Sequence, residues 1–289
     1  MQAVRYKWTL RKGGSKIVCP SCGRKTFVPY VSASDGKTLA GAEYGRCDRE
    51  NHCGYLRYPG SDVTAPEGGN IIPEVPTRPL RFKDSVLAIL DGRSNLHTYA
   101  EQFGTGAVMA LTAYKVGAFG RDWTAFCQID INGEIHAVKL IPYGTDGHRR
   151  KDMTPVKWGH KEKSLQPYCE GEKLEQVAFG EHLLRLRPSS PVAVVESEKT
   201  AVMMSALFPQ AVWLAVGGSQ NLYRIGSRLN GLKEMEGRKV IAYPDKGMSL
   251  PWQQTCGILG WECRDEEVRR GELGCDIWDI YEQKINTSK

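Results

Sequence analysis

Val192-Ala-Val-Val-Glu-Ser-Glu-Lys-Thr-Ala-Val202 is the stretch that decides how this chain is read. Four apolar residues, Val192 to Val195, stop at Glu196, and Ser197, Glu198, Lys199 and Thr200 then open a helical pattern. An unbroken apolar run of this length suits a parallel strand buried on both faces. The carboxyl end of such a strand is where open α/β sheets place their ligands. A second run, Lys239-Val-Ile-Ala-Tyr-Pro-Asp245, also ends on an acid. Two acids brought to one sheet edge are suited to holding a divalent metal.

The flanking segments continue the alternation. Ser197–Leu207 reads as a helix with Ala201, Val202, Ala206 and Leu207 turned inward, and 211–216 as the next strand. Gly217-Gly218-Ser-Gln-Asn-Leu222 is a turn opening a further element, 240–243 a third strand, and 252–259 a helix. The order β-α-β-α-β-α implies a parallel sheet with right-handed crossovers.

The amino-terminal end carries a second signal. Cys19-Pro-Ser-Cys22-Gly and Cys47-Asp-Arg-Glu-Asn-His-Cys53-Gly each end a cysteine pair on glycine, the pattern of a metal-binding knuckle. Tetrahedral zinc takes four soft or borderline ligands, which two knuckles on a β-hairpin supply. Five residues intervene in the second pair instead of two, so His52 competes with Cys53 for the fourth position. Such a metal lets a short segment fold without a large core. Arg24, Lys25, Arg46, Arg49 and Arg57 interleave with Phe27, Tyr30, Tyr44, Tyr55 and Tyr58. That mixture suits phosphate contact with base stacking on a single strand; the same aromatics also serve as a mini-core. Residues 1–60 hold eleven Lys/Arg against four Asp/Glu, so the chain's net charge of +6 is concentrated there. Local clustering is what attracts phosphates. The other five cysteines, Cys127, Cys169, Cys256, Cys263 and Cys275, read as small packed hydrophobes.

Between these ends, residues 59–80 are rich in Pro and Gly and read as an extended linker. Helices are expected from Phe82 to Leu90, over 95–103 with Ser94 or Asn95 as cap, and over 107–114. A hairpin of 123–131 and 135–141 turns on Asn132-Gly133, a pair that tolerates positive φ. Lys139, Arg149, Arg150, Lys151 and Lys157 either line a phosphate path or form a solvated loop. With 41% hydrophobic residues the chain needs no disulfide staple. No run approaches the ~18 apolar residues of a membrane span and the start lacks an apolar signal core, so no membrane is expected and the default compartment is the cytoplasm.

The phrases Cys-Pro-Ser-Cys-Gly-Arg-Lys-Thr-Phe, Gly-Arg-Cys-Asp-Arg-Glu, Glu-Ser-Glu-Lys-Thr-Ala and Tyr-Pro-Asp-Lys-Gly together resemble the Toprim-domain, primase-like zinc-ribbon proteins of Bacteroidetes chromosomes and mobile elements. In the Toprim family a Glu ends the first strand, a Gly-rich turn follows the second and Asp-x-Asp ends the third. Glu196, Gly217-Gly218 and Asp245 match; Ser197 stands where many members have Gly, and Gly247 stands where the second Asp belongs. The resemblance implies an α/β fold: a Toprim-like parallel-sheet domain at 188–289, a small α+β region at 81–187, the linker at 59–80 and a zinc ribbon at 1–58. It implies structural Zn²⁺ on Cys19, Cys22, Cys47 and Cys53, with Mg²⁺ or Mn²⁺ on Glu196, Asp245 and Asp276 or Asp279. Asp276 reads equally as a helix cap. Glu196 and Asp245 would be catalytic, and Arg24, Lys25, Lys139, Arg149, Arg150, Lys157 and Lys199 would meet nucleic acid; Lys199 reads otherwise as a solvated first-turn lysine. The implied activity is primase-type nucleotidyl transfer on single-stranded DNA, with nucleotides and a replicative helicase as partners. Two alternatives stand beside it: a non-catalytic DNA-binding accessory protein of replication or mobilisation, and an ordinary α/β sheet with surface acids.

Overall fold

The computed structural model describes residues 7–12, 16–49, 52–60, 78–272 and 274–287, apart from the Arg270 side chain. It divides into two compact units, Met1–Pro76 and Thr77–Lys289. Most of the expected linker, residues 61–77, lies outside the described residues.

The first unit is an antiparallel ribbon of β1 (Trp8–Leu10), β2 (Ile17–Val18), β3 (Lys25–Ser32), β4 (Gly45–Cys47) and β5 (Leu56–Arg57). The strands lie in the order β1-β3-β4-β5, with β2 also against β3. The core here is small. Phe27 is fully buried against Cys19 and Cys47, with Ile17 and Tyr55 packed on them. So little apolar area cannot hold a ribbon of this size without a staple.

The second unit opens with an antiparallel sheet of β6 (Arg81–Phe82), β7 (Val116–Phe119), β8 (Trp123–Ile129), β9 (Ile135–Ile141), β10 (Lys157–Trp158) and β11 (Cys169–Glu170). Its order is β11-β6-β9-β8-β7, with β10 also on β9. Short α1 (Val86–Ile89), α2 (Asn95–Glu101) and α3 (Thr105–Ala113) lie between β6 and β7. Phe82 pairs with Ile135 and Cys169, so the expected helix start at 82 is a strand and α1 keeps a single turn. The β8–β9 hairpin forms, but not on a two-residue Asn-Gly turn. Asp130 Oδ1 accepts the N–H groups of Asn132 and Glu134, both at 2.9 Å, and only Gly133 takes positive φ, at 89°. The loop is thereby three residues long with glycine in the left-handed position. Asp130 Oδ2 also meets buried His136 Nε2 at 3.2 Å, which ties the turn to the next strand.

α4 (Leu183–Leu186) leads to a parallel sheet of β12 (Val192–Val195), β13 (Val212–Ala215), β14 (Val240–Ala242) and β15 (Glu262–Cys263) in the order β13-β12-β14-β15. All three pairings are parallel. α5 (Glu198–Leu207), α6 (Leu222–Asn230) and α7 (Ser249–Leu259) are the crossovers, and α8 (Ile277–Thr287) follows. Alternate residues of β12 face opposite cores. Ala193 and Val195 pack with α5 residues Ala201 and Val202, while Val192 and Val194 pack with Leu222, Ile225 and Trp252. This is why the strand is an unbroken apolar run rather than an alternating one.

A boundary near 187 was expected between two modules. Instead Leu96, Tyr99 and Leu111 share one core with Ala201, Met203 and Trp278, and Trp278 Nε1 donates to Tyr99 Oη at 2.7 Å. Among the described residues, no helix is long and apolar enough to cross a membrane.

Candidate functional site

The cysteine site follows from two glycine-closed turns. Cys19 N–H donates to Arg24 O at 2.8 Å and Gly23 N–H to Cys19 O at 3.0 Å. In the second turn Cys53 N–H donates to Arg49 O at 2.7 Å. Gly23 and Gly54 sit at φ 67° and 63°, conformations that side-chain-bearing residues adopt at a cost. The longer second turn therefore closes on Arg49 and delivers Cys53 as the two-residue turn delivers Cys22. Cys19 and Cys53 sulfurs are 3.8 Å apart, Cys22 and Cys47 3.9 Å, and all four lie within 4.8 Å of one another. Zinc–sulfur arms of about 2.3 Å in a tetrahedron give edges of about 3.8 Å, so the sulfurs are spaced for one zinc. His52 is exposed and outside the set. Thr26 Oγ1 lies 3.2 Å from Cys47 Sγ, placed to donate to a thiolate. The backbone N–H of Arg24 draws the Cys22 pKa down to about 6, while burial pushes Cys19 up to about 11. Arg24 and Lys25 are exposed beside the first turn.

The second site forms at the carboxyl ends of β12 and β14. These strands are adjacent, and their connections leave toward opposite cores, α5 into one and α7 into the other. A crevice opens where an open sheet switches in this way. Glu196 follows β12 directly. Its carbonyl accepts from Gly217 N–H at 2.9 Å, and its carboxylate accepts from Ser219 N–H. Burial raises the Glu196 pKa against the lowering effect of that bond, Arg149 and Lys139. Asp245 follows β14, with Gly247 at φ 97° just beyond it. That conformation disfavours an aspartate at 247.

Two further acids arrive from elsewhere. Lys246 N–H donates to Cys275 O at 2.8 Å, and Gly274 N–H to Lys246 O at 3.2 Å, which fastens the loop after β14 to the approach of α8. Asp276 and Asp279 then close that helix reciprocally. Asp276 N–H donates to Asp279 Oδ2 at 2.9 Å, and Asp279 N–H to Asp276 Oδ1 at 3.0 Å. Asp276 is thus the helix cap, as one reading had it, with its other oxygen accepting from Thr200 Oγ1. It also faces Asp245. Burial, then Asp276, Glu196 and Asp279 in that order, push the Asp245 pKa up to about 8, against Arg149. Burial and Asp279 likewise raise Asp276. The four carboxylates do not form a closed cage. Among the described residues, three ligand atoms fall within 4.8 Å of one another only in the cysteine set and in Asp130, Glu134 and His136. Glu134 of the latter is exposed and paired with Arg81 at 3.2 Å.

The cations expected on a nucleic-acid path divide by environment. Lys139 is internal: its Nζ lies 2.9 and 3.0 Å from the carboxylate oxygens of fully buried Glu198 and donates to Gly217 O at 2.9 Å. A lysine engaged in that way does not reach a phosphate outside the fold. Lys199 is also buried rather than solvated. It donates to Gly147 O at 3.2 Å, lies 4.0 Å from Asp279 Oδ1 and sits 5.7 Å from the centre of the Tyr99 ring. Arg150 is paired with Asp122 at 2.7 Å and Asp152 at 2.6 Å, and Lys157 lies over the Trp123 ring at 4.5 Å. Arg149 is exposed, with its side chain bonded to Tyr143. Desolvation works against its cation, but Tyr143, Glu198 and Glu196 outweigh that and raise its pKa.

Glu198 and Thr200 escaped the sequence reading. A charged residue in the first turn of a helix ordinarily faces water, and nothing local to Glu198 shows that Lys139 is its partner. Gly217 explains part of the arrangement. It holds φ 75°, and a β-carbon there would stand 3.2 Å from Glu198 Oε1.

The fold and site together define a zinc-ribbon protein with a two-faced parallel α/β sheet that gathers acids at its switch point. A family model described as a domain of unknown function (DUF6371) matches residues 94–246, over half of the sequence, and the chain belongs to that family. A zinc beta-ribbon finger model matches residues 4–67, in agreement with the four-cysteine site. No curated protein matches the chain. Among solved structures, it is similar to the primase fragment of the bacteriophage T7 primase–helicase protein at 14% identity and a TM-score of 0.44, over 95% of this chain and 96% of that one. It is also similar to a chain from the structure of the bacteriophage T7 lagging-strand DNA polymerase interacting with primase domains of two gp4 subunits bound to an RNA/DNA hybrid and dTTP. That match has 15% identity and a TM-score of 0.39, over 62% of this chain and 82% of that one. Overlap this loose says nothing of chemistry.

Proposed function

We propose that this chain is a Toprim-like, primase-type protein that carries out divalent-metal-dependent phosphodiester transfer on single-stranded DNA, in replication or in the upkeep of a mobile element. The observation that carries this reading is the gathering of acids about Asp245, where burial and then the charges of Asp276, Glu196 and Asp279 raise its pKa. An acid set left in that state fits Mg²⁺ or Mn²⁺, since Mg²⁺ binds through one or two carboxylates and keeps several waters. Asp245 would hold the metal with help from Asp276 or Asp279, which leaves Glu196 as the proton acceptor. When bound, the metal supplies neutralisation of phosphate charge and orients an in-line displacement.

The remaining work falls to the chain's own groups. Arg149, bonded to Tyr143 and near enough to lower the Glu196 pKa, would take a phosphate oxygen. Glu196, raised by burial, is suited to accept a proton from an attacking hydroxyl. Ser219 N–H orients it. Arg24 and Lys25 on the ribbon would meet the strand's backbone.

The test is oligonucleotide synthesis from nucleoside triphosphates on a single-stranded template with Mg²⁺. Glu196→Gln and Asp245→Asn are each expected to abolish product. The second reading, a DNA-binding accessory protein without turnover, is favoured by Gly247, which removes the second acid of the usual pair. Wild-type protein that binds the template yet makes no product under any divalent metal would establish it.

A further inference from the structure

The ribbon's aromatics fall into two sets with different neighbours. Phe27 and Tyr55 belong to the cysteine core, with rings 5.7 Å apart. Trp8, Tyr30 and Tyr58 do not. Leu10 pairs with Tyr30 across β1 and β3, toward the end of β3 remote from Cys19 and Cys22. There Lys7, Trp8, Leu10, Tyr30, Tyr58 and Pro59 line a cleft of about 580 Å³. Tyr30 is buried at 8% exposure, and Tyr58 lies against it with ring centres 5.6 Å apart while remaining 66% exposed. An exposed ring backed by a buried one is a rigid platform, costly to leave wet unless something flat covers it.

The surrounding charge selects the occupant. Lys7 is in the wall, Arg57 stands over the Tyr44 ring at 5.3 Å, and Arg46 on the neighbouring strand keeps its side chain 44% exposed while 3.9 Å from Asp48. Residues 1–60 carry eleven Lys/Arg against four Asp/Glu. Aromatic platforms flanked by cations bind single strands by stacking bases and tracking phosphates, and clefts of about 300–1,000 Å³ are of ligand-binding size. We infer that the Trp8/Tyr30/Tyr58 cleft is a base-stacking site for single-stranded DNA, separate from the zinc turns, with Tyr58 as its outer platform. This rests on the nucleic-acid part of the proposed function and not on turnover.

The test is fluorescence anisotropy of the full chain with end-labelled oligothymidylate and with an abasic oligomer of the same length and charge. Wild type is expected to bind oligothymidylate about 10-fold or more tighter than the abasic strand, since stacking contributes about 1–3 kcal/mol per base. Tyr58→Ala should close that gap by weakening oligothymidylate alone, and Tyr58→Phe should keep it. Because Tyr58 lies outside the cysteine core, zinc content should stay at the wild-type level in both variants. Equal wild-type affinity for the two strands, or a gap that survives Tyr58→Ala, overturns the stacking site while leaving phosphate contact standing. Failure to bind either strand overturns both this site and the nucleic-acid reading.

Discussion

Replacing Asp245 with Asn is expected to remove a pH dependence of stability that the acid site imposes on the second unit. Asp245 has a pKa of about 8 in the folded protein against an ordinary 3.8. Between those values the folded state holds a proton that the unfolded state has released, so stability falls as pH rises. The contribution is complete below the unfolded value and lost as pH climbs to the folded one. One group in this state costs about 1.4 kcal/mol per pH unit. Asp245 is only partly buried and its acidic neighbours also titrate, so a discounted loss on the order of 3 kcal/mol is expected between about pH 5 and pH 8. Asn resembles the protonated acid in shape and never ionises. Wild type and Asp245→Asn should therefore coincide below about pH 4 and diverge above it, with the variant more stable. Urea unfolding followed by tryptophan fluorescence reads this cleanly, because six of the seven tryptophans lie beyond residue 77. Saturating Mg²⁺ should restore wild-type stability at high pH, by about 2.7 kcal/mol at a hundred times its Kd, and leave the variant unmoved. Stability curves of equal pH slope for the two proteins would falsify the crowding of acids around Asp245.

Other perturbations test separate parts of the fold. Lys139→Met should destabilise the second unit by about 3–5 kcal/mol, because Glu198 is left as an unpaired buried charge, and adding Glu198→Leu should recover much of the loss; chemical denaturation of the single and double variants measures both. Cys47→Ser should lower zinc content below one per chain and unfold the ribbon, while the near-UV circular dichroism of the second unit is retained. Asp276→Ala should cost about 1 kcal/mol as a lost helix cap and also flatten the pH slope that Asp245 produces, which a cap alone would not do. Oligonucleotide affinity of the intact chain should fall steeply with added salt, and a flat response would exclude phosphate contact through Arg24, Lys25 or Lys7.

The parts of the fold that were legible are those whose cause is local. Val192–Val195 announces a strand buried on both faces because each face needs its own apolar side chains. Ser197 caps α5, with its hydroxyl facing Thr200 N–H as a residue of that type does before a helix. The paired cysteines and their glycines encode their own turns. What was hidden depends on partners far along the chain. Lys139 and Glu198 are 59 residues apart, and each alone reads as a solvated charge. Lys199 lies in a first helical turn but is covered by Gly147 and Tyr99, more than fifty residues earlier. The hairpin turns at Asn132-Gly133 as its sequence suggests, but only Gly133 takes positive φ, because the Asp130 side chain accepts the N–H groups of Asn132 and Glu134. Asp276 was read as either cap or site residue, and the structure has it capping α8 while facing Asp245, a combination that no single-residue pattern conveys.

The bonds that fasten Lys246 to Cys275 and Gly274 bear on how the acid site is held closed. Glu196 and Asp245 follow β12 and β14, and the core on the α5 side of β12 also takes Ile277 and Trp278 from α8. Asp276 and Asp279 come later in the chain, with α8. The helix that brings the two extra acids to Asp245 therefore also brings two of the side chains that close the apolar core. Opening at the start of α8 would part the acids only by exposing Ile277 and Trp278, so the apolar anchor holds the acid site closed.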